Sequence, residues 1–371
     1  MTTATMSFAQ NQSEQEQKVY FWNRITVKDR ALFYEHLANL VEGGVTVMNA
    51  TNSFLEKTQN PRLYQEVARL FLFINSGDSF STAMKKLPTT FDRREIAIIE
   101  AGEASGTIQK SFMNLAKQLR EQEELKKKIT GALTYPLIIM VFLGIAVTVI
   151  MTYVIPKIQP LFVSNDVELP FATKSLIATS DFMINNFVLL LFVIIGAVVG
   201  LQAYMKTDSG RLFFHEIALK LPLVGDVYRN YLLARIASNL GILMAAGIPI
   251  LKTFALTGES ANNAVYGIAI ADAIERITQG KKIVQSIRES DPEKRLFPND
   301  FLQLMDAGEQ TSTINKICVK ISEQYTREVD SSVTTLVKWV EPLAILFAGV
   351  FVLWFAFGIF SAVLKITETV Q

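Results

Sequence analysis

The sequence predicts an all-α integral membrane protein with two repeated six-helix cytoplasmic bundles and three transmembrane helices. Three observations carry that reading. Residues 96–136 lie without a gap on residues 302–342 at a shift of 206, with Ala101/Ala307, Gly102/Gly308, Glu103/Glu309, Ile108/Ile314, Lys110/Lys316, Gln118/Gln324 and Pro136/Pro342 identical. Three charge-free apolar stretches each approach or exceed the ~20 residues that a helix needs to cross hydrocarbon. Lysine and arginine crowd the polar segments and almost avoid the one that joins the first two apolar stretches. Repetition on this scale sets the architecture: two copies of a helical unit each feed a membrane span.

Composition narrows the classes. The 371 residues are enough for two domains, half are hydrophobic, and the mean hydropathy of +0.27 is high for a soluble protein. A net charge of +1 supplies no global field that would recruit nucleic acid or an acidic partner. The lone Cys318 excludes an intrachain disulfide framework and reads as a small buried apolar residue in a reducing compartment. The glutamine-rich start (Gln10, Gln12, Gln15, Gln17) reads as a disordered tail over residues 1–27 and gives no reason to expect a cleavable signal peptide.

The first bundle is expected over residues 28–131. Leu32, Phe33, His36, Leu37, Leu40 and Val41 recur at three and four and make one apolar helix face, which Gly43-Gly44 stops. Thr46 or Asn49 starts a second helix carrying Val47, Ala50, Phe54 and Leu55, and Asn60-Pro61 breaks it. A third holds Leu63, Val67, Leu70 and Phe71 and ends near Gly77. Ser79 caps a short fourth to about Leu87, where Pro88 ends it. Asp92 starts a fifth. Gly102 and Gly106 bracket a turn, and a sixth helix runs from about Thr107. Six helices with short connections close into a bundle.

That sixth helix then enters the first span, residues 132–155, behind Lys126-Lys127-Lys128. No charge occurs between Lys128 and Lys157. Pro136 sits in the first turns of the span, to kink it or to mark where the polar helix becomes the span. Residues 156–186, with Pro156, Pro160, Pro170 and the turn-like Ser164-Asn165-Asp166, read as a periplasmic connector, and residues 187–205 as the second span. The second bundle, residues 206–340, mirrors the first: residues 240–247 match 37–44 and Gly280 matches Gly77 at a shift of 203, whereas Phe297 matches Phe91 at 206. The three extra residues therefore fall near 291–294, as a surface turn. Residues 341–364 form the third span, with a short periplasmic tail at 365–371. Residues 1–132 hold 17 Lys and Arg, residues 206–336 hold 15, and residues 156–186 hold two. The positive-inside rule places both bundles and the N-terminus in the cytoplasm and the connector on the far side.

The sequence offers no catalytic residue, no cofactor site and no metal site. No GxxxxGK[ST] loop occurs: Glu275 stands where the first glycine before Gly280-Lys281 belongs, and Lys282 where Ser or Thr belongs. His36 and His215 fall in different bundles, each on a helix face, and read as ordinary core or boundary residues. No GxSxG or Cys/His arrangement is found. The span interiors carry no ionisable side chain, which speaks against a pump or transporter. The acidic turns, Glu100, Gly102, Glu103 and Gly106 in one copy and Asp306, Gly308 and Glu309 in the other, are the strongest candidates for something more specific. A glycine there permits the positive φ of a tight turn, and the carboxylates would complement the dipole of the next helix. Docking or cation binding is the functional alternative. The triple lysine reads as a topology determinant and headgroup contact.

Two repeated bundles, three spans, the Gly-Glu-x-x-Gly turn at 102–106, and above all Lys128-Ile-Thr-Gly-Ala-Leu-Thr-Tyr-Pro136 with Pro156 closing the first span resemble one family. It is the inner-membrane platform protein of type II secretion and type IV pilus systems (GspF/PilC-like), and the resemblance covers about residues 28–365. The second copy has Ser312 for Gly106 and Glu341 for Tyr135, so a role for the motif is better placed at Tyr135 and Pro136 than at Pro342. The resemblance implies a multi-pass protein of the bacterial inner membrane that self-associates as a homo-oligomer in the lipid bilayer. It also implies that a cytoplasmic secretion or pilus ATPase is coupled to pilin or pseudopilin, beside other inner-membrane assembly proteins and without direct nucleic-acid contact. The alternative is a membrane scaffold that recruits cytoplasmic partners without mechanical coupling.

Overall fold

The first five helices of this chain begin where a side chain accepts the first free N–H groups. A computed structural model describes residues 24–163, 170–222 and 224–370; most of the expected tail and the Ser164-Asn165-Asp166 turn lie outside the described residues. Helix α1 (Val27–Glu42) opens on a capping box of Thr26 and Asp29. Helix α2 (Val47–Lys57) opens on Thr46 and α3 (Pro61–Asn75) on Asn60, with Pro61 in its first turn. Helix α4 (Phe80–Lys85) opens on Ser79 and α5 (Arg93–Ala104) on Asp92. Helix α6 then runs 42 residues, Ile108–Val149, and a π-helical turn, Ile150–Val154, joins it to α7 (Ile155–Val163). Next come α8 (Phe171–Asn185), α9 (Phe187–Tyr204), α10 (Asp208–Lys220) and α11 (Val224–Ala245). Helices α12 (Ile250–Ser260), α13 (Ala264–Thr278), α14 (Ile283–Ser290), α15 (Asn299–Gln310) and the 57-residue α16 (Ile314–Val370) follow. The fold is all-α, with no strand among the described residues.

The duplication appears element by element. Helices α2 and α12, and α3 and α13, coincide at a shift of 203, and α5 and α15 at 206. Asn60 and Asn263 serve alike, each accepting from the N–H groups two and three residues ahead. The extra residues form an exposed turn at Pro292, Glu293 and Lys294. Asp291 holds that turn by accepting from the N–H groups of Arg295, Leu296 and Phe297.

The described residues up to Lys127, with Asn230–Thr326, form one compact unit. The periodic apolar faces turn inward: Phe33, Leu37, Leu70, Met84 and Phe112 are fully buried. Phe33 meets Phe54, and Phe80 meets Phe112, edge-on at 5.1 Å, the geometry that the ring quadrupoles favour. Leu243, Ile248 and Leu256 of the second repeat belong to the same apolar cluster as the first repeat's side chains, so the repeats share a core.

The second unit holds Lys128–Arg229 and the chain from Arg327 onwards. Among the described residues three stretches, Ile108–Pro160, Phe187–Tyr204 and Ile314–Leu364, contain helix long and apolar enough to cross a membrane. Phe142, Phe192 and Leu353 point outward along them, an arrangement suited to lipid rather than water. Helices α6 and α16 pass Pro136 and Pro342 without a break.

Beyond Val154 the chain stays helical through Pro156 and Pro160 to Val163, and α7 and α8 occupy most of the described length of residues 156–186. The π turn explains how Pro156 is accommodated. In it the Ile155 N–H bonds back five residues to the Ile150 carbonyl, so the next carbonyl, Met151, faces Pro156, which has no N–H to give. Ser180 of α8 supplies the missing donor, its hydroxyl 2.5 Å from the Met151 oxygen. Helix α8 packs in the same way on α16. Thr173 donates to the Gly358 carbonyl at 2.5 Å, the Trp354 indole donates to Ser175 at 3.2 Å, and a Cβ at Gly358 would stand 2.0 Å from Leu176. Small residues and hydroxyls at helix contacts are how membrane helices approach closely.

Replacing Ser180 by alanine strands the Met151 carbonyl. The expected cost is about 1–2 kcal/mol, read as lower thermal stability of the detergent-solubilised chain, with threonine at the same position recovering part of it.

Candidate functional site

The acidic turns resolve into the same device in both repeats. Each ends a helix in a paired hydrogen-bond pattern: Thr107 and Thr313 donate to the Gly102 and Gly308 carbonyls at 2.8 Å, and Gly106 and Ser312 donate to the Glu103 and Glu309 carbonyls at 3.2 and 3.3 Å. This is a Schellman turn, which needs one residue in the left-handed region. Gly106 fills it at φ 70° and Ser312 at φ 57°, so the departure at Ser312 keeps the turn and carries the strain of a side chain there.

Gly102 does not serve as expected. It lies inside α5 rather than at the turn, and a Cβ would stand 2.2 Å from the Ser111 hydroxyl. Gly308 is likewise helical, with a Cβ 3.1 Å from Ile314 and Ile317. Both glycines let the helix before the turn approach the helix after it. The carboxylates also complement a different helix from the one expected. Glu103 accepts from the Phe80 and Ser81 N–H groups at 2.6 and 3.1 Å, and from the Ser81 hydroxyl, at the start of α4. Glu309 accepts from Ile283 and Val284 at 2.7 and 3.0 Å, at the start of α14. Each charge meets the positive end of the helix that precedes its own, not of the next one in sequence. Periodicity cannot show that, because the partner is set by tertiary packing.

Of the remaining candidates Pro136 is buried within α6, and the others are surface groups. Glu100 pairs with Lys85 at 2.6 Å, and that hydrogen bond holds its carboxyl below the usual range. Asp306 accepts from Gln310 at 2.7 Å. Tyr135 is exposed on α6. Lys128 reaches Asp330 of α16 at 3.0 Å, tying the two long helices together beside the first span. Among the described residues no group of three or more His, Cys, Asp or Glu side chains is gathered as a metal ion would require.

The most concentrated polar chemistry lies where sequence reasoning did not look, between the repeats. Arg94 is only 2 % exposed and donates to Asn239 Oδ1 at 2.5 Å; Gln118 donates to the same oxygen at 2.8 Å. Asn239, itself fully buried, donates to Ser260 at 2.9 Å. One amide thus joins α5 and α6 of the first repeat to α11 and α12 of the second. Arg93–Glu259 at 3.1 Å lies at the rim.

Beside this seam, buried Glu95 accepts from the Tyr34 hydroxyl at 2.8 Å and from Arg30. Burial, reinforced by Asp92, pushes the Glu95 carboxyl up to about 7 against the pull of Arg30 and Arg94. Burial likewise pushes the Tyr34 hydroxyl well above its ordinary value. The corresponding positions in the second repeat are Leu233, Ala237 and Phe301. The available signal was Arg94-Glu95 immediately before an apolar helix run, and a lone Asn239 inside another. Chemically this is a hydrogen-bonded lock between the repeats.

Comparison with known proteins agrees with this architecture. The family model for protein F of the type II secretion system matches residues 33–156 and again 236–362, once per repeat. The chain is similar to a type IV pilus assembly protein of Thermus thermophilus, 29 % identical over 345 residues, 93 % of this chain and 84 % of that one. It is also similar to a type II secretion system protein F of Aeromonas hydrophila, 28 % identical over 356 residues (95 % and 90 %), and to one of Pseudomonas aeruginosa, 25 % identical over 359 (97 % and 88 %).

Two measurements test the site. Helix α14 starts on Lys282 with no side-chain cap of its own, whereas α4 also has Ser79. Glu309→Ala is therefore expected to cost about 2 kcal/mol and Glu103→Ala less, by denaturant unfolding in detergent. The raised Glu95 value makes stability depend on pH. The acid's contribution is complete below its ordinary value of 4.5 and is lost as pH rises through about 7. Unfolding at about pH 5 and about pH 8 should show that loss, and Glu95→Gln should narrow the difference.

Proposed function

The chain belongs to the type II secretion system protein F family, and from that premise we propose that it couples a cytoplasmic assembly ATPase to the insertion of pilin or pseudopilin subunits into a growing fibre. As a member of that family it is a multi-pass inner-membrane platform protein of type IV pilus or type II secretion machinery. In this reading both repeats face the cytoplasm, the segment between the first two spans and the C-terminal end face the far side, and the protein works as a homo-oligomer among other inner-membrane assembly proteins. It performs no chemistry of its own and transmits the motor's.

The observation that supports coupling is the continuity of α6 and α16. Each starts within a repeat, at Ile108 and Ile314, and runs without a break into a span. Apart from the one bond that Pro136 and Pro342 each omit, the helical hydrogen-bond ladder runs the length of both rods, so a rotation or displacement applied at one end is carried to the other. Lys128–Asp330 joins the two rods, although an exposed pair of this kind contributes little by itself. The scaffold alternative needs no such continuity.

Inserting Gly-Gly after Glu124 in α6 separates the two readings. Two residues rotate everything downstream by about 200°, and each glycine weakens the helix by about 1 kcal/mol. The expected result is loss of fibres or secretion, with the variant still present in membranes and still recovered with the ATPase. Fibre assembly at the parental level would sink the coupling proposal and favour the scaffold.

A further inference from the structure

The corner between α9 and α10 is built tightly. Helix α9 carries no charge, and Phe187, Phe192 and Leu201 are exposed along it. It ends at Tyr204; Thr207 then caps α10 with extended backbone, φ −80° and ψ 150°, and accepts from the Gly210 N–H at 3.2 Å. The chain therefore changes direction within three residues. Gly210 fixes the turn, since a Cβ there would stand 2.0 Å from the Tyr204 carbonyl oxygen. The Tyr204 and Phe214 rings meet edge-on at 6.0 Å. Three residues reach no further than about 11 Å, so α10 begins at the depth where the span ends. Tyrosine is enriched at that depth, with its ring among the headgroups.

One face of α10 is apolar and open. Phe213 is 53 % exposed, Ile217 is exposed four residues on, and Leu221, one turn further, is 47 % exposed. Val224 extends the stripe to the start of α11. Positions four apart lie on one side of a helix, and large apolar side chains in such a row are not what a water-facing helix displays. Lys206 and Arg211 flank the stripe, and Lys220 pairs with Glu216 at 2.5 Å.

We propose that α10 lies in the plane of the membrane interface, with Phe213, Ile217 and Leu221 at the acyl boundary and Lys206 and Arg211 reaching lipid phosphates. The lipid surface is the occupant of this face because α10 continues from a span through a rigid corner, so bilayer is what its apolar stripe meets first. Amphipathic helices with basic flanks bind in this way, buried to about 5–10 Å. So placed, α10 fixes the depth and rotation of the second span. The inference rests on Phe187–Tyr204 being a span and not on which machine the chain serves.

The test uses the full chain with Cys318→Ala as background. Phe213→Cys and Asp208→Cys are spin-labelled separately and reconstituted into phosphatidylethanolamine–phosphatidylglycerol vesicles. At position 213 collisions with dissolved oxygen should exceed those with a water-soluble nickel chelate, and at 208, on the opposite face, the order should reverse. Preferential access of nickel at 213 overturns the proposal, as does shielding of 213 from both reagents, which would mean that protein covers it. A label at Val198→Cys, inside the span, reports oxygen preference whenever the chain has inserted correctly, so misfolding is recognised.

Discussion

A peptide N–H or C=O that leaves water must find another partner, and in this chain the demand falls on the helix ends. The first unit is made largely of short helices and therefore has many ends. It closes them with local side chains at Thr26, Asn60 and Asp92, with Schellman turns at Gly106 and Ser312, and with Glu103 and Glu309 reaching across the fold. Helices α6 and α16, whose later parts belong to the second unit, remove ends instead, by running helix for 42 and 57 residues along apolar stretches. Where proline forces a gap, at Met151, Ser180 of a neighbouring helix fills it. The same accounting thus produces both short capped helices and long uninterrupted rods.

The two repeats keep this framework and differ in what fills it. Around Arg30, Tyr34 and Glu95 the first repeat carries a buried charged cluster where the second has Leu233, Ala237 and Phe301. Breaking a buried ionic group costs more than replacing it whole with apolar side chains, so the second repeat is the simpler solution to the same packing problem. The polar cluster in the first lies next to Arg94, which hydrogen-bonds Asn239 of the other repeat. Two related apolar surfaces can associate in several ways. A single amide that must accept from both Arg94 and Gln118 selects one of them.

Much of this was legible in the sequence. Helix starts at Ser79 and Asp92, and at Thr46 of the two residues offered for the second helix, follow from hydroxyl and carboxylate groups placed one residue before an apolar period, and each occurs; Asn60, read only as a break with Pro61, caps the third. The apolar stretches declare spans by length and charge alone. Three kinds of information were hidden. Gly102 looked like a turn glycine because Gly106 stands nearby, and only coordinates reveal the 2.2 Å approach to Ser111. The helix that continues past Pro156 was not foreseen, because a π turn, which lets proline stay within a helical run, has no signature of its own. Asn239 looked like one polar residue in an apolar helix, since its partners lie 145 and 121 residues away. Local rules reach a few residues along the chain, and those contacts do not.

The shared core has a consequence for the order in which the molecule can be made. A ribosome releases the first repeat long before residues 239–260 exist, and during that interval Arg94 and Gln118 have no Asn239 to bind. Leu243, Ile248 and Leu256 are likewise absent from the cluster they complete. Between the two halves of that core lie the first two spans. The shared core is therefore completed only after both intervening spans have been synthesised, and the nascent first repeat waits with an uncovered flank until residues 239–260 follow them. A duplicated chain that shares its core in this way makes completion of that core wait on the synthesis of the spans between its two halves.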